Sequence, residues 1–174
     1  MKIIGTMRSL DGTRGAVRVE DVYDTNIDDL WEACTDPERL ARWIAKVSGD
    51  LRVGGSVHAV FTSTWSGPGR VDVCEKPHHL LLTMDPGTPD ETRIEAWLKE
   101  QGSGTRLVVE ERGLPLDHLP SYGAGWQAHL DDLGHSLRGQ AEVGTGSWTE
   151  RAPEPGWRAR WTELTPTYRQ LEID

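Results

Sequence analysis

The stretch SYGAGWQAHLDDLGHSLRG, residues 121–139, decides the fold of this chain. Its large apolar side chains recur at intervals of four, three and four positions and are Trp126, Leu130, Leu133 and Leu137. This spacing places all of them on one face of an α-helix, which another element must cover. The segments before the stretch have the two-residue period of β-strands, so we expect a sheet to cover the helix. A sheet that wraps one long helix can enclose a cavity, and we expect function to lie there.

Strand patterns dominate the chain before the long helix. Residues 16–23 alternate apolar and charged side chains, and residues 1–13 are interpreted as a frayed end or a short edge strand. Two short helices are predicted next, one capped by Thr25 or Asn26 and one that starts at Asp36-Pro37. Five further segments are separated by glycine or proline turns and predict an antiparallel meander; they span residues 56–61, 71–74, 80–84, 93–98 and 106–110.

These elements predict an α+β fold. We expect a curved antiparallel sheet of about six strands wrapped around the long helix, with the two short helices after the first strand. Residues 1–139 are predicted to form this domain, and residues 140–174 a linker and a short helical C-terminal extension. Apolar residues recur in the extension at helical spacing, and Pro166 is expected to break that helix into two turns; the recurring residues are Trp161, Leu164, Tyr168 and Leu171.

Composition and charge exclude several classes of partner. The net charge of −9 and the absence of any basic run argue against nucleic-acid binding. The apolar runs are only a few residues long, so we expect no membrane insertion, and the amino terminus does not resemble a secretion signal. We therefore predict a cytoplasmic protein that is a monomer or a homodimer.

The cysteines and histidines do not form a recognisable metal or redox motif. Cys34 and Cys74 are interpreted as two buried thiols that act as small hydrophobic side chains. His58 is expected to face solvent and His78-His79 to lie at a turn, without partners at metal-ligand spacing. No metal and no cofactor are therefore predicted. The eight tryptophans are spread along the chain and suit cavity walls as well as a core.

Four short motifs in this order resemble a known family. They are Trp31-x-Ala33-x-Thr35-Asp36-Pro37-Glu38-x-Leu40-x-x-Trp43, Val53-Gly54-Gly55, Gly104-Thr105-Arg106-Leu107 and Gly125-Trp126-x-x-x-Leu130-x-x-Leu133. With the order of elements, they resemble the helix-grip fold of the START and birch-pollen-allergen (SRPBCC) superfamily, and within it the family related to the activator of the heat-shock-protein-90 ATPase. The resemblance covers about residues 16–139.

The resemblance implies a cavity between the sheet and the long helix that binds small apolar molecules. It also implies two alternatives, because wider relatives act as polyketide cyclases or hydratases and the family takes its name from a chaperone accessory protein. We predict a binding protein for a small hydrophobic molecule, lipid-like or polyketide-like, rather than an enzyme. The predicted ligand-binding residues are Val57, Phe61, Trp65, Val73, Leu82, Ile94, Leu98, Val109, Glu111, Trp126, Leu130 and Leu133.

Glu111 is the candidate for chemistry if the chain is an enzyme. It follows Val109 at strand period, so it is predicted to face inward, where burial would raise the pKa of its carboxyl. Alternatively it lies at the rim, solvated or paired with an arginine. His129 lies beside Trp126 and is expected to point outward. Trp65, in the loop between the first two meander strands, either closes the pocket as a lid or packs on a neighbouring loop.

Overall fold

The computed structural model describes residues 2–139 and 156–174, and its described part contains one eight-stranded antiparallel sheet. The strands are β1 (Gly5–Ser9), β2 (Arg14–Tyr23), β3 (Ala45–Gly49), β4 (Ser56–Phe61), β5 (Ser66–Glu75), β6 (His79–Met84), β7 (Thr92–Gln101) and β8 (Gly104–Pro115). Their order across the sheet is β1-β2-β8-β7-β6-β5-β4-β3. The helices are α1 (Ile27–Thr35), α2 (Pro37–Leu40), α3 (Leu119–Leu137) and α4 (Gly156–Tyr168).

The predicted α+β fold and the antiparallel meander are confirmed, but the strand count is wrong. Strand β1 is the edge strand that the sequence offered as one of two alternatives, and it pairs with β2. Strand β3 was missed. It is an edge strand that pairs with β4, and its apolar alternation is limited to Ala45 and Val47, which is too short to indicate a strand. None of the described helices combines the length and apolarity needed to cross a bilayer.

Local capping explains the two short helices. The Asn26 side chain accepts a hydrogen bond from the backbone N–H of Asp29 at 2.9 Å and begins α1. Asp36 accepts from the backbone N–H of Glu38 at 3.1 Å, and Pro37 occupies the first turn of α2. Both starts were predicted from the sequence, because side-chain oxygens satisfy amide groups that have no partner within a helix.

A β-bulge in β5 reverses the predicted direction of Val73. Val71 pairs with Leu82, whereas Val73 pairs with Leu81, so Asp72 is an extra residue in the ladder. Leu82 lies opposite the core residue Ile94. Leu81 and therefore Val73 lie on the outer face of the sheet. The prediction that Val73 faces the interior is wrong because strict alternation does not continue across a bulge.

The cysteines have different environments. Burial raises the pKa of the Cys34 thiol to about 12, in agreement with the interpretation of a buried thiol. Cys74 is exposed, so the same interpretation is wrong for it. It lies beyond the bulge, next to the last residue of β5. The exposed position of His58 agrees with the sequence analysis.

Helix α3 carries the predicted apolar stripe into the core, where Trp126, Leu130 and Leu133 are buried. Its other side is buried too, because α4 packs along it. Gly123 permits this contact, since a Cβ atom there would lie 2.6 Å from the Tyr168 ring. Helix α4 is continuous from Gly156 to Tyr168 and contains Pro166 two positions before its last residue, so the predicted break is wrong. The proline lies in the last turn, after most of the helix has already formed.

The C-terminal residues pack against the first strand and the residues before it. The hydroxyl of Tyr168 donates to Gln127 Oε1 at 2.6 Å, and Gln127 Nε2 donates to the carbonyl of Lys2 at 2.7 Å. Ile173 forms a bridge with Met7 in parallel orientation. The described part of the extension is therefore packed into the domain. The predicted linker comprises residues 140–156. All of it except residue 156 lies outside the described residues, and so does Trp148.

Candidate functional site

A cavity of about 620 Å³ opens at one end of the sheet, between the sheet, α3 and α4. Aromatic side chains from three regions form much of its wall and are Phe61, Trp65, Tyr122, Trp126, Trp157 and Trp161. Polar groups converge on the same space and are Thr92, Glu111, Ser121 and His129. Further residues at the opening are Arg14, Ser63, Thr64, Asp85, Asp90 and His118. This size and composition suit a small organic ligand.

The cavity occupies only one end of the space between helix and sheet. Of the residues predicted to bind ligand, those that line it are Phe61, Trp65, Ile94, Glu111 and Trp126. The others do not line it: Val73 is on the outer face, and the remaining residues pack within the interior, namely Val57, Leu82, Leu98, Val109, Leu130 and Leu133.

The direction of α3 explains this division. Its N-terminal half lies near Glu111, since Trp126 bonds to that residue, and its C-terminal half lies near the end of β2, since the Tyr23 hydroxyl donates to the carbonyl of Leu130 at 3.0 Å. Helix α1 follows β2 directly, and its side chains Leu30 and Trp31 fill the interior at that end. The sequence predicted a cavity along the whole helix because periodicity does not distinguish its two halves.

Glu111 lies inside the cavity wall and is 8% exposed. On its strand it is opposite Val17 and Ile94, both of which belong to the core. Trp126 Nε1 donates to Oε1 at 2.8 Å, and Thr92 Oγ1 donates to Oε2 at 2.8 Å. The alternative of a solvated or arginine-paired rim position does not hold.

Burial raises the pKa of the Glu111 carboxyl, and the hydrogen bonds from Trp126 and Thr92 act in the opposite direction. The adjacent Glu110 points to the other face, where Arg8 and Arg112 hold its pKa below the ordinary range. Among the described residues no cation forms an ion pair with Glu111. The cavity therefore contains a carboxyl group fixed by two neutral donors and lacking a counter-charge.

His129 points inward, so the expectation that it faces solvent is wrong. It is 4% exposed and lines the cavity, and its Nδ1 has no hydrogen-bond partner in the described structure. Burial lowers the pKa of its imidazole to about 3, so the ring is neutral at physiological pH. A neutral imidazole offers one donor and one acceptor nitrogen to a ligand. The prediction for His129 was wrong because no pattern along the chain indicates that α4 covers that side of α3.

The aromatic walls meet at steep angles. The rings of Phe61 and Trp65 are 5.4 Å apart at 66°, and those of Phe61 and His129 are 6.0 Å apart at 89°. Trp126 and His129 are 5.5 Å apart at 67°. Edge-to-face contact is a favourable geometry for aromatic pairs, so these rings hold one another in place at the cavity wall. Trp65 is half-buried against Phe61 and Gly67 at the edge of the cavity, a position that fits both alternatives given for it.

Helix α4 contributes two residues that the sequence reasoning did not assign to the site. Trp157 Nε1 donates to the carbonyl of Gly125 at 3.0 Å, and Trp161 Nε1 donates to the carbonyl of Ser121 at 3.0 Å. The two indoles stack with centroids 5.6 Å apart. Their spacing of four along one helix was the available signal, but nothing in the sequence assigned that helix to the cavity. Within the described ranges, no group of three or more His, Cys, Asp and Glu side chains is arranged to hold a metal ion.

Comparison with known proteins gives one family match. The family model described as "Activator of Hsp90 ATPase homolog 1-like protein" matches residues 24–138. This range includes most of the sheet, the two short helices and α3, but not α4. No curated protein sequence matches the chain significantly.

Solved structures similar to this chain include two with more than a quarter of positions identical. CalU16 from Micromonospora echinospora, solved in solution, is 29% identical with a TM-score of 0.72, over 96% of this chain and 92% of that chain. DynU16, a protein in the dynemicin biosynthetic locus, is 27% identical with a TM-score of 0.64, over 70% of this chain and 46% of that chain. A protein from Bordetella parapertussis is 22% identical with a TM-score of 0.67, over 95% of this chain and 89% of that chain, which shows a shared fold alone.

Proposed function

Because the chain belongs to the family of activator of Hsp90 ATPase homolog 1-like proteins, whose fold it shares, we propose that it binds a small, largely apolar molecule. The binding site is the cavity between the sheet, α3 and α4. One observation carries the proposal, namely a space of about 620 Å³ walled by aromatic rings and containing the buried polar groups of Glu111 and His129.

The driving force for binding is the removal of apolar surface from water. Each 100 Å² of apolar ligand surface buried contributes about 2.5 kcal/mol before the cost of association is subtracted. The aromatic walls lose little conformational entropy, because indole side chains held by hydrogen bonds, such as Trp157 and Trp161, are already ordered. The polar groups then select among ligands of similar shape.

We propose a lipid-like or polyketide-like ligand, as the resemblance to the wider superfamily implies. The similarity to DynU16, a protein in the dynemicin biosynthetic locus, supports a product or intermediate of small-molecule biosynthesis. A flat ring system fits between indole and phenyl walls more readily than a flexible chain does, because it loses fewer rotatable bonds on binding.

Ligand binding is tested by cavity filling. Purified protein is screened by mass spectrometry for retained ligand, and its melting temperature is followed with fatty acids and aromatic polyketides. We expect binders to raise the melting temperature.

Ile94→Trp, which fills the cavity, should abolish the rise, whereas the matched control Arg93→Trp, exposed on the opposite face of β7, should retain it. A protein that no compound stabilises, or an equal response in Ile94→Trp, contradicts the proposal.

A second candidate function is acid–base catalysis on the bound molecule. The observation that favours it is the placement of Glu111 in the cavity wall, where burial raises the pKa of its carboxyl, a shift in the direction that general acid–base catalysis requires. Glu111 would act as general acid or base, as in the cyclase or hydratase alternative. If a turnover assay with a polyketone substrate detects activity, Glu111→Gln should reduce it at least 100-fold. Unchanged turnover removes Glu111 from the mechanism.

The family description also suggests a role beside a chaperone. That proposal predicts that the purified chain stimulates the ATPase rate of an Hsp90-type chaperone at stoichiometric concentration. An unchanged rate, together with no co-purification of the two proteins, contradicts it.

A further inference from the structure

The cavity combines aromatic walls with the carboxyl group of Glu111, which has no counter-charge among residues 2–139 and 156–174. We propose that it selects ligands bearing a protonated amine or a quaternary ammonium group, with the cation placed among the rings beside Glu111. This inference rests on the proposed binding function and specifies the chemical class of the ligand.

The first observation is the contrast between two adjacent carboxylates. Glu110 on the outer face is paired with Arg8 at 2.6 Å and with Arg112 at 3.1 Å. Within the part of the chain that the structure describes, the donors to Glu111 on the inner face are the uncharged side chains of Trp126 and Thr92. A buried carboxylate without an opposite charge costs free energy, and a ligand cation that enters the cavity removes this cost.

The second observation is the nature of the surrounding wall. The faces of Trp, Tyr and Phe rings attract cations through their quadrupoles, and Trp is the most effective. Three tryptophans in addition to Trp126 line the cavity, and the rings of Phe61 and Trp65 meet at 66°. Rings set at steep angles to one another, with a carboxylate among them, form the arrangement that recognises ammonium groups elsewhere in proteins.

The third observation concerns competing charges. His129 is neutral because burial lowers its pKa, so it does not repel a cation. The guanidinium of Arg14 lies at the opening and donates to the carbonyls of Pro89 at 3.0 Å and Gly113 at 3.4 Å. The other titratable groups that line the cavity are Asp85, Asp90, His118 and Tyr122. The two aspartates at the opening and the net charge of −9 favour the approach of a cation.

Three dansyl probes of matched length test the inference. Dansylcadaverine ends in a protonated amine, N-hexyl dansylamide ends in a methyl group in place of that amine, and 6-(dansylamino)hexanoate ends in a carboxylate. At pH 8, we expect dansylcadaverine to bind about tenfold or more tightly than the neutral probe, and the anionic probe more weakly than both. Dansyl emission and energy transfer from tryptophan measure the dissociation constants.

Two variants assign the preference to Glu111. Glu111→Gln keeps the size of the side chain and should lower the affinity for dansylcadaverine at least fivefold, with the neutral probe bound as before. Glu110→Gln changes the net charge equally on the outer face and should leave the preference intact. Circular dichroism confirms that each variant is folded.

Proton linkage provides a readout that does not depend on the variants being equally stable. Binding of the amine stabilises the ionised carboxyl of Glu111, so calorimetry in buffers of different ionisation enthalpy, repeated over a pH series that starts at the ordinary pKa of 4.5, should detect proton release wherever this carboxyl is still protonated in the free protein. The release should be absent with the neutral probe and with Glu111→Gln, which separates Glu111 from the other titratable groups at the opening.

The outcomes separate the two proposals. Equal affinity for the amine and the neutral probe, or a preference for the anion, overturns the cation inference and leaves the binding function standing. An amine preference that persists in Glu111→Gln also overturns the inference, because the surface charge then accounts for it. If none of the probes binds, both proposals fail.

Discussion

Glu110 and Glu111 are neighbours in sequence with opposite electrostatic environments. Strand geometry directs them to opposite faces of the sheet. Glu110 meets arginines from two strands, whereas Glu111 meets an indole and a hydroxyl. The same side-chain chemistry therefore has a lowered pKa on one face and a raised pKa on the other. The difference between the two pKa values arises from the side chains that contact each carboxyl group, and the residue type alone does not specify these contacts.

The raised pKa of Glu111 predicts a pH-dependent stability. As pH rises above the ordinary pKa of 4.5, the Glu111 carboxyl of the unfolded chain loses its proton, whereas the same carboxyl in the folded protein keeps its proton to a higher pH. Stability from the protonated carboxyl is therefore complete below that value and is lost as pH rises through the folded pKa. Glu111→Gln, which can still accept from Trp126, should gain stability relative to the wild type from pH 4.5 to 8. Urea denaturation at several pH values measures this difference, and parallel pH profiles for the two proteins would contradict it.

His129 should act in the opposite sense. Its pKa is lowered from 6.5 to about 3, so on acidification the unfolded chain takes up this proton first. The stability is present above pH 6.5 and is lost as pH falls toward the folded pKa, by about 2 kcal/mol at pH 5. His129→Phe should remove this loss when the free energy of unfolding is compared at pH 7.5 and pH 5. The exposed His58→Asn serves as control and should keep the wild-type difference; a variant of His129 that keeps it would refute the assignment.

At the level of elements, α3 contains small residues with different roles. Gly123 and Gly125 allow α4 to approach, since a Cβ atom at Gly125 would lie 3.1 Å from the Trp157 ring. Gly134 is near the flexible side chain of Arg138, with 3.3 Å between its Cβ position and Nη1. The sequence shows that each of these positions is small but not what lies beside it. Only the contacts show which ones are required.

These contacts predict opposite effects of one substitution at two glycines. Gly123→Ala should lower the free energy of unfolding by about 1–3 kcal/mol, because the added Cβ would overlap the buried ring of Tyr168. Gly134→Ala should raise it by up to about 1 kcal/mol, because alanine favours a helix and Arg138 can move aside. Chemical denaturation measures both. Equal effects at the two sites would contradict the packing of α4 on α3.

The β-bulge in β5 shows why strand faces are less predictable than strands. The alternation of β4 and β7 continues without a shift and agrees with the predicted inward residues Val57, Ile94 and Leu98. In β5 the extra residue Asp72 reverses the faces beyond it. Asp72 is bound by Arg70 and Thr83, contacts that come from the same outer face and from the neighbouring strand. The bulge therefore depends on pairing, which the sequence of one strand does not contain.

At the level of the molecule, one buried amide connects both ends of the described chain to α3. Gln127 Nε2 donates to the carbonyl of Lys2, and its Oε1 accepts from the backbone N–H of Ile4 at 3.2 Å and from the hydroxyl of Tyr168. A polar side chain in this position fixes the relative placement of the elements around it, because each lost bond would leave a buried group unpaired.

Tyr168→Phe tests this connection. Loss of the hydroxyl removes the 2.6 Å hydrogen bond to Gln127 and should lower the free energy of unfolding by about 1–2 kcal/mol, as measured by urea denaturation. Tyr122→Phe is the matched control, because Tyr122 is partly exposed, and should change stability by less than about 0.5 kcal/mol. If Tyr168→Phe has no larger effect than the control, the extension does not stabilise the domain in this way.

The sequence by itself determined the order of the elements and most of the elements themselves, with β3 as the strand that it did not indicate. The stripe from Trp126 to Leu133, the caps at Asn26 and Asp36, and the alternation of the meander strands act over short distances along the chain. These patterns predict secondary structure from the sequence alone because helices and strands have fixed periods. They also predicted Glu111 on the inner face, since two-residue alternation extends from Val109.

Tertiary structure decided which part of the predicted interior is empty and what surrounds it. The orientation of α3 relative to α1 filled one end and left the other open. Helix α4 buried Gln127 and His129, although His129 was expected to face solvent. The packing of α4 against α3 also places Trp157 and Trp161 in the cavity wall. The physical reason is that periodicity records whether a face is apolar, whereas the contacts that cover a polar face join residues more than thirty positions apart, such as Gly125 and Trp157.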